Sequence, residues 1–217
     1  LTGKHIENIP FCYKQLAKPQ FFVENGIVTV VQIPVVNKEV FLFQQNLKGE
    51  LIQSIPPSEE MDAWDFIGDI FTSHNGGVFS IHYTAVDTLF HYDAQTNRLT
   101  PRFSIQFDRD DMYATYREWP NHFFVWTREK PILVDKHTDK AWHVQLKNDF
   151  LGGLETGYFS CDNDYAVVSI NAFRIREDLE KAVGRSGLSP EVHARMTELV
   201  NSIDDDDNPV LIIGKLK

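Results

Sequence analysis

Short apolar runs bounded by turn residues recur along the chain, and the strongest of them carry apolar side chains at both odd and even positions. Ile27 to Ile33 and Tyr165 to Ile170 are of this kind. Strict alternation marks a strand with one wet face, so runs apolar on both sides predict strands whose sheet is covered on both faces. A two-sheet sandwich, the main alternative, would leave one face of each sheet in water and give cleaner alternation. The stretch Thr88 to Tyr92, read as an outer strand, and the edge-like Lys140 to Gln145 are more mixed. The final stretch, Val210 to Leu216, is apolar on both faces and is expected to be buried in the sheet.

One region has the helical period instead. Ile175, Leu179, Ala182 and Val183 form a stripe. After Gly184 and Gly187 a second helix is expected, with Ser189 as N-cap, Pro190 in the first turn and an apolar face of Val192, Met196, Leu199, Val200 and Ile203. The pattern places a two-helix insertion at about 174–203.

The strands repeat. Phe90 to Leu99 and Ile132 to Ala141 superpose with an offset of 42, both reading strand, then Asp-x-x-Thr-[Asn/Asp]-[Arg/Lys], then strand. Asp and Thr side chains bond nearby backbone groups, and Asn or Asp tolerates the left-handed conformation that reverses a chain. A looser copy runs from Gln44 to Leu51, with Gly49 at the strained position. Upstream turns start at Asn25, Asn75, Asn121 and Asn163, at spacings of 50, 46 and 42 residues. Units of about 40 to 50 residues holding four short antiparallel strands are what propeller blades look like in sequence. The expected fold is therefore all-β and β-propeller-type, one domain over 1–217 with blade repeats at about 1–56, 57–107, 108–147 and 148–217.

Composition narrows the partners. The 217 residues carry a net charge of −10, with no Lys/Arg cluster, which argues against a nucleic-acid partner because phosphate binding needs a basic face. No apolar run reaches the ~18 residues of a membrane helix, and no signal peptide is visible at Leu1 to His5. Two cysteines, Cys12 and Cys161, are too few for a disulfide framework or a structural zinc site. Nucleophile elbows and Gly-rich phosphate loops are absent, so no cofactor is expected and no catalytic residue is assigned.

The blade repeats, the late helical insertion and the ending Asp206 to Lys217 together resemble the six-bladed β-propeller proteins of unknown function abundant in gut Bacteroidetes. This chain shows four blades and looks like the C-terminal portion of such a protein, or a shortened member. The resemblance implies a cell-envelope protein, often a lipoprotein, in the periplasm or at the outer membrane, with no assigned reaction. Four blades could close on themselves, pair with another copy or stay open, and the open arc is disfavoured because bare sheet edges aggregate.

Links between successive blades of a propeller share one end of the ring. Here they are acidic and aromatic: Glu59, Glu60, Asp62 and Trp64 in the first, Asp108, Asp110, Asp111 and Tyr113 in the second, Asp149 and Phe150 in the third. Together they are expected to make a ligand-binding face for a protein, a cationic peptide or a glycan stacking on the rings. The plain alternative is that these are polar loops whose aromatics plug the core beneath. The rival function is a propeller hydrolase or lyase acting on a glycan or peptide, which needs convergent groups of displaced pKa in one pocket, with a divalent cation as an option. His82 and His91, with Asp87 and Asp93, match no ligand spacing, and ordinary strand histidines are the favoured reading, with no metal site assigned. The Asp204 to Asp207 run lacks the pattern of a calcium loop. It lies at the negative end of the preceding helix, where such charge needs a cation or a basic neighbour. A binding or scaffold module, with self-association as an option, is the reading these features support best.

Overall fold

The computed structural model describes residues 8–14, 19–33, 38–62, 69–75, 77–84, 86–108, 113–155, 159–162 and 165–215, without the side chains of 60, 62 and 160–162. The chain divides into two compact units, residues 1–117 with 125–128, and residues 118–124 with 129–217.

In the first unit, β1 (Gln20–Glu24), β2 (Ile27–Val31), β3 (Leu42–Asn46) and β4 (Leu51–Ile55) form a four-stranded antiparallel meander. A single helical turn, α1 (Glu59–Asp62), follows, with Ser58 Oγ accepting from the Met61 amide at 3.3 Å. The link expected to be a loop thus opens on a capped turn. A second meander follows the same order: β5 (Ile70–Asn75), β6 (Val78–Tyr83), β7 (Leu89–Asp93) and β8 (Arg98–Phe103). Thr88 to Tyr92 is therefore an inner strand, flanked by β6 and β8, and not an outer one. A third sheet is ordered β12-β11-β10-β9, from β9 (Ala114–Glu118), β10 (His122–Thr127), β11 (Ile132–Asp135) and β12 (Ala141–His143). Successive four-stranded antiparallel meanders are the arrangement of propeller blades.

The expected turn chemistry is present in both Asp-x-x-Thr hairpins, while Gly76 and Asn163 of the upstream turns lie outside the described residues. The Asp93 carboxylate accepts from the Gln95 and Thr96 amides at 2.8 and 3.3 Å and from the Thr96 hydroxyl at 2.7 Å. Asp135 does the same with His137 and Thr138 at 2.9, 2.7 and 3.0 Å. Those bonds hold both carboxyls below the usual carboxylate range. Asn97 and Asp139, at matching positions, take φ of 51° and 55°, and Gly49 in the looser copy takes 82°. β2 and β3 are buried on both faces, and Val31, Phe41 and Leu42 share a core with Phe79, Ile81 and Tyr83 of the second meander.

The second unit ends in β13 (Lys147–Asn148) paired with β14 (Leu154–Glu155), then β15 (Ser160–Asp162), β16 (Tyr165–Ile170), α2 (Ala172–Val183), α3 (Pro190–Ser202) and β17 (Val210–Lys215). β16 pairs antiparallel with both β15 and β17. Ser189 caps α3 with Pro190 in its first turn, as the sequence indicated, and the Asn171 side chain, which the sequence reading placed in the preceding strand, caps α2. Leu179, Ala182 and Met196 are buried between the helices and the sheet, with Ile170, Val210 and Ile212 packed against them.

Two expectations of burial on both faces fail here. β16 and β17 bury the face carrying Val168 and turn the other outward: Tyr165 is exposed, Leu211 is 62% and Ile213 64% exposed. The helices cover one side of this sheet, and the apolar residues of alternate register are left on the opposite side.

Candidate functional site

The feature of the second unit that can hold a ligand is an apolar cavity of about 520 Å³ bounded by the 146–151 segment, β16, β17 and the two helices. One pair of small residues is among its walls. Along the helix-facing side of the β16–β17 ladder, Ile170 stands opposite Val210 and Val168 opposite Ile212, but the next pair is Ala166 opposite Gly214. A Cβ built on Gly214 meets nothing within 4 Å. Ile170, Val210 and Ile212 pack against the helical core, whereas Gly214 is exposed and offers no side chain. The volume lies within the roughly 300–1,000 Å³ of small-molecule pockets.

The link that sequence reasoning singled out contributes to the cavity wall. Asp149 and Phe150 both line the cavity. Asn148 organises the turn, its side chain accepting from the Leu151 amide at 3.1 Å while its carbonyl accepts from Gly153 at 2.8 Å. Gly152 and Gly153 take φ of 65° and 81°, which only glycine adopts freely. At Gly152 a Cβ would come within 2.8 Å of Leu188 Cδ2 and 2.9 Å of Met196 Sδ, so the turn sits hard against the helical pair. Arg195 on α3 donates from Nε and Nη2 to the Phe150 carbonyl at 3.0 and 2.6 Å, and its guanidinium lies 4.0 Å from the centre of the Phe150 ring. The ring is 53% exposed all the same. It is an aromatic anchored on one side and open on the other, a geometry that suits contact with a ligand.

Lys147 and Asp149 of this link both line the cavity, whereas Lys215 stands opposite Tyr165, on the outward face that carries Leu211 and Ile213. Glu155 is the cross-strand neighbour of Lys147, but it accepts a hydrogen bond from Gln145.

The other sequence-predicted site residues lie in the first unit. Glu59 and Asp108 are exposed, and Tyr113 is exposed with the Arg128 guanidinium 6.0 Å from its ring. Trp64, Asp110 and Asp111 lie outside the described residues, as do the side chains of Glu60 and Asp62.

His82 and His91, whose relative facing the sequence left open, share one face of the second meander: His91 pairs with Ser80, two residues from His82 on β6. Among the described residues no group of three or more His, Cys, Asp or Glu is placed to hold a metal ion. His82 is only 1% exposed, and burial drives its pKa down to about 4. Its ring lies 4.5 Å from that of Tyr116, which donates to Asp87 and whose own pKa is raised by burial and by that carboxylate. Tyr116 is also 1% exposed. These displaced groups are thus sealed in the packed interior and do not converge on a cleft. At Asp204 to Asp207 the basic neighbour demanded by the helix end is Arg176, whose guanidinium pairs with Asp205 at 3.3 Å.

The cavity escaped sequence reasoning, although one signal was present: a lone glycine inside the apolar run Val210 to Leu216 marks a place where something approaches or is missing.

Two of the solved structures that are similar to the chain show the likeness. One is the 2.60 Å crystal structure of a candidate exported protein from Bacteroides fragilis, with a TM-score of 0.53 and 14% identity over 94% of this chain and 80% of that one. The other is the WD40 domain of Pan2 from Neurospora crassa, with a TM-score of 0.41 and 13% identity over 70% of this chain and 41% of that one. No family model matches the chain, and no curated protein is similar to it. With its antiparallel meanders and two helices, the chain has an all-β, propeller-like fold. No helix among the described residues is long and apolar enough to cross a membrane.

Proposed function

We propose that the chain is a non-catalytic binding module of the cell envelope, and that its ligand enters the cavity beside Phe150. The observation that carries this reading is the pairing of a preformed apolar cavity with an exposed ring held in place by Arg195. Preorganisation of that kind lowers the ordering cost of binding. The envelope assignment draws on the family resemblance and on the fold likeness to a candidate exported protein. The remaining acidic and aromatic links, Glu59 to Trp64 and Asp108 to Tyr113, are proposed as a second contact surface for a protein, peptide or glycan partner.

A neutral apolar dye, N-phenyl-1-naphthylamine, tests the cavity. The full chain brightens the dye saturably, and Phe150→Ala weakens its binding about threefold to tenfold, the range expected for loss of one exposed ring contact. Unchanged dye binding by the variant, or no saturable binding by the parent protein, rejects the site. Fractionation of the native host tests the location, and recovery in the cytoplasmic fraction rejects it.

A further inference from the structure

The cavity runs along an unguarded sheet edge. Val210, Leu211, Ile212, Ile213 and Gly214 all border it, although successive residues of a strand point to opposite faces. From β16 it is bordered by Ala166 and Val168, which belong to the helix-facing side of the ladder. A space that meets both registers of β17 but one register of β16 lies beneath the sheet and turns up beside the outer edge of β17. β17 is the terminal strand of its sheet, with β16 on its paired side. In an antiparallel pair, alternate residues direct their N–H and C=O groups away from the partner strand. Among the described residues β17 makes no backbone hydrogen bond beyond those to β16.

Terminal strands are commonly protected by charge, proline or a bulge. β8, also a terminal strand, carries Arg98, Pro101 and Arg102. β17 has neither charge nor proline between Val210 and Gly214, and its register with β16 runs without a shift. Pro209 and Lys215 stand at its two ends and frame that stretch. Backbone donors and acceptors repeating at strand spacing are matched by the backbone of another strand. An uncharged edge fits a strand that is uncharged where it pairs. Side chains of one register would enter the cavity over Ala166 and Gly214, against Leu151, Ile175 and Leu179. Those of the other register would lie beside Leu211 and Ile213 on the outward face.

We infer that the cavity binds an extended, uncharged segment of a partner polypeptide, which adds as a strand to the free edge of β17 and places alternate aliphatic side chains in the cavity. This rests on the reading of the cavity as the binding site and names the ligand class.

The test uses the full chain and two probes, the end-capped peptide Lys-Thr-Val-Thr-Val-Thr-Lys and the same peptide N-methylated at every central amide. Methylation removes the backbone donors and keeps the side chains. The plain peptide is expected to displace N-phenyl-1-naphthylamine at least tenfold more effectively than the methylated one, and to slow amide exchange at 210–214. Leu211→Lys together with Ile213→Lys, both at exposed positions, should weaken the peptide at least tenfold by charging the edge. Ala166→Leu, which fills the space beneath, should weaken it independently and guards against a double variant that misfolds. Equal displacement by the two peptides, or unchanged binding by folded variants, overturns strand addition. Slowed exchange confined to other strands overturns the placement on β17. If the dye binds and Phe150→Ala weakens it, but neither peptide displaces it or slows exchange, the polypeptide ligand is overturned and the cavity stands.

Discussion

Ala166 and Gly214 stand opposite each other across β16 and β17, a methyl group facing a hydrogen where the two preceding pairs of the ladder present branched side chains on both strands. Both residues of the pair line the cavity. Filling it should stabilise the protein as well as close the cavity. The backbone of Gly214 lies outside the left-handed region and a Cβ there meets nothing, so Gly214→Val gains strand propensity and covers apolar wall at little steric cost. The expected gain is about 1 kcal/mol, a rise of a few degrees in the thermal midpoint by calorimetry. A fall would show that the space is needed by the fold.

The turn carrying Phe150 offers a paired comparison. Gly152 and Gly153 both have positive φ, but a Cβ meets Leu188 and Met196 at the first and nothing within 4 Å at the second. Gly153→Ala should cost only the backbone penalty of about 1–2 kcal/mol. Gly152→Ala should cost more, because it also pushes the turn off α3, and should speed amide exchange at 149–152. Equal losses in urea denaturation would contradict the close packing.

The repeated hairpins give a second pair. Asn97 and Asp139 are equivalent in φ, but Asn97 also donates to the Ser54 carbonyl at 2.9 Å and accepts from Tyr92 at 3.1 Å. Glycine preserves the conformation at either site. Asn97→Gly should therefore destabilise by about 1–2 kcal/mol through the lost bonds, and Asp139→Gly should be close to neutral. A neutral Asn97→Gly would mean that the residue serves only the turn.

His82 should make stability depend on pH. Its folded pKa of about 4 lies below the ordinary 6.5 because burial disfavours the cation. Below 6.5 the unfolded chain takes up a proton that the folded one refuses. The His82 contribution is thus intact above pH 6.5 and lost progressively as pH falls toward 4, on the order of 3 kcal/mol in all. Denaturation midpoints measured across that window should fall in the parent protein and fall less in His82→Phe. Parallel curves would show that His82 does not titrate there.

How legible each part was depends on how local its physics is. The hairpins at Asp93 and Asp135, the cap at Ser189 and the two-helix stripe are set by residues within a few positions of one another, and the composition of those segments is enough to specify them. The single turn α1 and the inner position of Thr88 to Tyr92 were misread because a one-turn helix has no period to detect and a strand's neighbours are not written in its own sequence. Phe150 was picked out as an exposed aromatic in a link, yet nothing nearby in sequence reveals Arg195, which fixes its ring from 45 residues away.

By itself, then, the order of residues determined the all-β repeats, their turns and the helical insertion, because strand period and turn preference act over short stretches of chain. Tertiary structure alone decided which face of β16 and β17 would be covered, leaving Leu211 and Ile213 outward. It also decided that Ala166 would meet Gly214 across the ladder at the edge of a cavity. Those are register and packing outcomes between segments about 50 residues apart, and an apolar pattern specifies that a face is to be buried without specifying what buries it.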